Sequence, residues 1–152
     1  MTATNHALTG AAIGLIIAQP IVAIPVAFLS HFVCDAIPHY RSSIKGENFL
    51  KTKSFSNYLV AEVILCILIV LVVALNQPNN WALAIICAFL AASPDLFSFK
   101  RYRYAKENKN YKPGKYVKFA SGIQWFEKPI GATVEFAWFI AGIAILAAFL
   151  YP

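Results

Sequence analysis

The apolar residues of this chain come in long runs that lysine and arginine never enter. The runs are Ala7–Ile37, interrupted by Pro20 and Pro25, then Tyr58–Leu75, Trp81–Ser93 and Gly131–Leu150. A soluble core is built from shorter, alternating pieces, whereas runs of about 20 apolar residues match the hydrocarbon thickness of a bilayer. Charged residues make up 13% of the 152, against about 25% in soluble domains. The pattern predicts an all-α, polytopic transmembrane bundle of about five helices, the first short, forming one integral membrane domain over residues 1–152. No cleavable leader is visible, because Met1–His6 lack the basic residues of a signal peptide. Cys34, Cys66 and Cys87 each stand alone in an apolar segment and read as small buried residues, with no zinc-ribbon or disulfide spacing.

All 13 basic residues fall in two joints. Arg41, Lys45, Lys51 and Lys53 lie in segment 41–57, and the rest, from Lys100 to Lys128, lie in segment 98–128. Loops rich in Lys and Arg stay cytoplasmic. Both segments are therefore expected inside, with the uncharged Asn76–Asn80 turn and the C-terminus outside. Ala7–Ile37 allows two readings. It is either one long bent helix with the N-terminus outside, or two short helices joined near Gln19-Pro20 with the N-terminus cytoplasmic. The second is favoured, since proline suits a helix's first turn and disfavours helical geometry in the residue before it. Its first piece, Ala7–Ala18, would span about 18 Å, short for a bilayer of about 30 Å. Gly10 and Gly14, in a G-x-x-x-G spacing, would let it pack closely against a neighbour.

Ionisable groups in membrane segments are costly and need a reason. They are His6, His31, Asp35, Glu62, Asp95 and Glu135, with His39 just past Pro38. On the two-helix reading, all reach the cytoplasmic end of their helices; on the bent-helix reading, His6 falls on the opposite side. His31 and Asp35 are four apart and share a helix face, and His39 follows four later. Imidazole and carboxylate donors suit zinc or a similar divalent ion, which would neutralise buried carboxylates. Asp95, Glu135 and His6 could complete that site or build a second. Interfacial helix capping is the plain alternative for each residue, Glu62 above all. No Ser-His-Asp or Cys-His pairing is convincing.

Three motifs carry a resemblance: Asn5-His6-Ala7-Leu8-Thr9-Gly10, Ser30-His31-Phe32-Val33-Cys34-Asp35-Ala36-Ile37-Pro38-His39 and Ser93-Pro94-Asp95. The chain resembles the bacterial inner-membrane family of membrane-bound metal-dependent hydrolases, one member of which is under LexA control. The resemblance implies His6, His31, Asp35 and Asp95 as metal ligands. That family is itself similar to the all-helical zinc-dependent phospholipase C fold, which implies phosphoester hydrolysis, with lipid headgroups as one substrate class. Longer members carry a His-Arg-Gly-x-Thr-His-Ser segment that has no match here, and all three histidines are already in the motifs above. The expectation is thus a single divalent metal, zinc by donor type, with His39 or Glu135 as general base or further ligand.

In segment 98–128, basic residues alternate with Tyr102, Tyr104, Tyr111 and Tyr116. The positive-inside rule with interfacial aromatics accounts for this. Attraction of anionic lipid headgroups, at about 1 kcal/mol per basic group, is the sharper reading. Nothing marks a nucleic-acid motif. Two functions remain open. One is a metal-dependent phosphoester hydrolase at the cytoplasmic face of the inner membrane. The other is a non-enzymatic small subunit or transporter-like protein with a metal- or proton-binding His/Asp cluster.

Overall fold

The computed structural model describes residues 1–40 and 47–151, so Arg41 and Lys45 of the first basic segment, and Pro152, lie outside the described residues. The described chain is all-helical. Helix α1 (Ala3–Ile17) starts earlier than the apolar run suggested, because the Thr2 hydroxyl accepts the Asn5 amide at 3.2 Å and caps the N-terminus. It ends where Ala18 turns left-handed at φ 54°. Gln19 is extended, and Pro20 opens α2 (Pro20–Ala36). Residues 7–37 are therefore two helices. Helix α2 stops because Ile37, preceding Pro38, is extended at ψ 151°.

A single turn, α3 (Glu47–Leu50), precedes α4 (Lys53–Asn76), which the Thr52 hydroxyl caps through the Phe55 amide at 3.1 Å. Gln77 and Asn80, both left-handed, reverse the chain into α5 (Trp81–Ala92). A 3-10 segment, Ser93–Ser98, joins α5 to α6 (Phe99–Lys106). After α7 (Lys115–Ile123), α8 (Gly131–Leu150) closes the bundle. Segment 98–128, read from sequence as one loop, thus contains two short helices.

Among the described residues three helical stretches are long and apolar enough to cross a membrane: Lys53–Asn76, Trp81–Lys106 and Gly131–Leu150. That is the profile of a membrane protein. Apolar residues such as Leu68, Leu71, Phe136 and Ile140 are exposed along α4 and α8, where lipid would cover them. Helices α1 and α2, with 15 and 17 residues, reach only about 22 and 25 Å.

Helix α1 is the pillar of the bundle and touches α2, α4, α5 and α8. Its closest neighbour is α5, which turns Ala84, Cys87, Ala88 and Ala91 inward. A β-carbon on Gly10 would stand 2.2 Å from the Cys87 carbonyl oxygen, and one on Gly14 would stand 2.5 Å from Ala84 Cα. The two glycines are therefore what allow the backbones to touch. Ala7, Leu8, Ala11 and Leu15 fill the adjoining core with Ile69, Val73 and Leu146.

Glu62 is a buried carboxylate with a structural task. It accepts the Thr4 amide and the Thr4 hydroxyl, both at 2.8 Å, and so caps the first turn of α1 from α4. A carboxylate there satisfies an amide that has no helical partner and sits at the positive end of the helix dipole. Glu62→Ala is expected to lower stability by about 1–3 kcal/mol, read as a lower unfolding midpoint of the detergent-purified protein. In a double-mutant cycle with Thr4→Val, strictly additive losses would show that the cap carries no coupling.

Candidate metal centre

The first turns of α1, the last turn of α2 and the end of α5 converge. His6 lies one helical turn before Gly10, so the contact between α1 and α5 sets its height. Its ring stacks on His31, centroids 4.0 Å apart and planes 27° apart. Both rings are buried. Asp35, one turn beyond His31 on the same face of α2, brings its carboxylate to both: Oδ1 is 3.1 Å from His6 Nε2 and Oδ2 is 3.4 Å from His31 Nε2. From the 3-10 segment, Asp95 Oδ1 reaches to 3.9 Å from His31 Nε2. The Asp95 side chain is 41% exposed and forms the open edge of the group.

The 3-10 geometry has a further effect on His31. In that register the Ala91 carbonyl would look to residue 94 for an amide, and Pro94 has none. His31 Nδ1 donates to Ala91 O instead, at 2.9 Å. A carbonyl only accepts, so this bond fixes the proton on Nδ1. Neutral His31 then turns an unprotonated Nε2 toward the Asp35 and Asp95 carboxylates. Acceptors facing acceptors in a buried site call for a proton or a cation between them. A backbone carbonyl holding one imidazole nitrogen while the other is free is also how metal-ligating histidines are oriented.

Ligand atoms of His6, His31 and Asp95 all lie within 4.8 Å of one another. Zinc bonds of about 2.0–2.1 Å to nitrogen or oxygen, arranged tetrahedrally, imply ligand-to-ligand edges of about 3.3 Å. Within this group the His31 Nε2 to Asp95 separation is 3.9 Å, and Asp35, a fourth donor beside it, lies 3.1 Å from His6 Nε2 and 3.4 Å from His31 Nε2. The donor set therefore fits a small divalent ion. Asp35 also serves other partners. It accepts the Met1 amino group at 2.5 Å on Oδ1 and Gln124 Nε2 at 2.9 Å on Oδ2. His6 Nδ1 is buried without a hydrogen-bond partner among the described residues.

His39 and Glu135 are not among the donors that lie within 4.8 Å of one another. The chain leaves the helix at Ile37, so His39 does not stay on the His31 and Asp35 face. Its Nδ1 donates to Ile37 O at 2.9 Å, and its Nε2 lies 3.6 Å from Glu127 Oε1. The His39 carbonyl accepts the Lys128 amide at 3.1 Å, and a β-carbon on Gly131 would collide with it. This strap ties the exit of α2 to the start of α8. Glu135 meets α1 through its backbone carbonyl, which accepts Asn5 Nδ2 at 3.0 Å.

Helix α7 closes over the cluster. Gln124, just past its end, donates to Asp35, Phe119 packs on Phe32 of α2 with centroids 5.8 Å apart, and the Tyr116 hydroxyl donates to Pro94 O at 3.2 Å. Burial first, then the carboxylates of Asp95 and Asp35, push the Tyr116 hydroxyl above its ordinary range, so it remains a donor. Nothing in the sequence pattern marked Gln124 or Tyr116 as partners of the cluster. The role of the Ala91 carbonyl was at least hinted at by Pro94 three residues later. Comparison with protein-family models, with curated proteins and with solved structures found no match for the chain.

Proposed function

We propose that this protein is a membrane-embedded, metal-dependent hydrolase of the phosphoester type, working at the cytoplasmic face of a bacterial inner membrane. The observation that carries the reading is the buried convergence of His6, His31 and Asp95 donor atoms, with His31 oriented by Ala91. His6, His31, Asp35 and Asp95 would hold one divalent ion, zinc by donor type. When bound, such an ion supplies Lewis acidity at a phosphoryl oxygen and an acidified water. Asp95, at the exposed edge, faces the side from which substrate would enter. His39 and Glu135 are the proposed bases. His39 Nε2 has no hydrogen-bond partner among the described residues. Multi-pass topology, with the N-terminus inside and the C-terminus outside, is supported by the confinement of Lys and Arg to segments 41–57 and 98–128.

The alternative is a non-enzymatic membrane subunit or transporter-like protein in which the same residues hold a proton. The crowded hydrogen bonding of Asp35, with donors from Met1, His6 and Gln124, favours it. Metal analysis of the full-length protein purified in detergent separates the two. The hydrolase reading expects about one divalent ion per chain, lost in His31→Ala. It further expects diesterase activity on phospholipid and on a chromogenic diester, also lost in that variant. Wild-type protein without metal would end the hydrolase reading, and activity unchanged in His31→Ala would remove His31 from the site.

A further inference from the structure

Helix α7 has a second face. Tyr116, Ala120 and Ile123 share one side, while Val117, Lys118 and Ser121 share roughly the opposite one. That opposite side lines an open cleft of about 420 Å3, whose other wall is Arg101 of α6 with Tyr111 and Pro113. The cleft therefore lies across α7 from Tyr116, the residue that bonds to Pro94 beside the cluster.

Its polar lining is one of donors. Arg101 is half-buried and makes no ion pair or hydrogen bond among the described residues, nor does Lys118. Tyr111 and Ser121 add hydroxyls. Glu107, six residues along from Arg101, is already taken by Arg103 at 3.0 Å and Lys109 at 2.6 Å, and Asp95, six residues back, lies by His31. A half-buried guanidinium with five unmatched donors, beside a lysine and two hydroxyls, is suited to a tetrahedral oxyanion. Exposed Phe97, Phe99, Phe119 and Trp125 flank this region, as aromatic residues do at headgroup depth.

We infer that the cleft between α6 and α7 is a phosphate-binding site, with Arg101 and Lys118 gripping the anion and Tyr111 and Ser121 completing its hydrogen bonds. The phosphate is that of an anionic lipid headgroup or of a soluble phosphate compound. The site is independent of the metal centre.

Calorimetric titration of the full-length protein, in detergent and with chelator present, tests this with two probes: dioctanoyl phosphatidic acid and inorganic phosphate. Saturable binding of at least one is expected. Arg101→Gln should weaken it about tenfold or more, and Lys118→Gln several-fold. Lys100→Gln removes the same charge outside the cleft and should change it less than twofold. Arg101→Lys, which keeps the charge and loses the fork, should fall between wild type and Arg101→Gln. Should Arg101→Gln fail to fold, Ser121→Ala and Arg101→Lys read the same contact. Equal binding of both probes assigns a soluble phosphate; binding of the lipid alone assigns a headgroup. No binding of either probe, or equal weakening by Lys100→Gln, overturns the proposal. Binding should persist in His31→Ala, so the two readings fail separately.

Discussion

Asp35→Ala is expected to cost about 3–5 kcal/mol of stability and to strip the protein of any bound divalent ion. Asp35 is 2% exposed, and its two oxygens meet the Met1 amino group, His6, His31 and Gln124. These groups come from α1, α2 and the end of α7, so one side chain joins three parts of the bundle. Alanine leaves several buried donors with nothing to replace the carboxylate, and the cost of an unsatisfied buried donor exceeds the gain from a made one. Asp35→Asn divides the effect. The amide keeps the shape and one acceptor but loses the charge, so much of the stability should return while metal retention does not. Denaturant unfolding in micelles and metal analysis of both variants make the comparison. An alanine variant as stable as wild type would remove Asp35 as a hub.

Gly10→Ala should damage the same site from a distance. The added carbon meets the Cys87 carbonyl oxygen at 2.2 Å and Cys87 C at 2.7 Å, and both are backbone atoms of a helix that cannot step aside. Relief requires α1 and α5 to separate, at a cost of about 1–3 kcal/mol or more. His6 lies one turn along α1 from Gly10, so the same displacement shifts its ring from His31 and from Asp35. Lower thermal stability and weaker metal retention should therefore appear together. Gly122→Ala has open space around the new carbon and serves as the control. A Gly10→Ala protein that matched that control in both readouts would sever the link between helix contact and site geometry.

Where residues speak through local rules, they were legible. Gln19-Pro20 broke the first apolar stretch as proline chemistry requires, and His31 and Asp35 share a face because helix periodicity puts them there. The spacing of Gly10 and Gly14 pointed to close packing, although not to α5 as the partner. His39 shows the limit. Pro38 predicts the helix end at Ile37, as found, but not where the chain then carries the imidazole, which turns to Ile37 O and Glu127. Segment 98–128 hid α6 and α7 because its density of basic and aromatic residues dominates any apolar stripe. Gln124 reaches Asp35 only through the path of that segment, which no local pattern encodes. Glu62 could be read as a cap, but its recipient, Thr4 on another helix, is purely tertiary.

The central position of α1 also bears on how the protein is made. This helix is synthesised before its main partner α5, and α2 and α4 lie between them in the chain. At 15 residues it is too short to settle across a bilayer by itself, and its first turns carry Asn5 and His6, which are costly to leave in lipid. It can therefore take its buried place only once α5 has been made and brings Ala84, Cys87, Ala88 and Ala91 against it. The polar cluster, which joins the start of α1 to the ends of α2 and α5, forms no earlier than that contact.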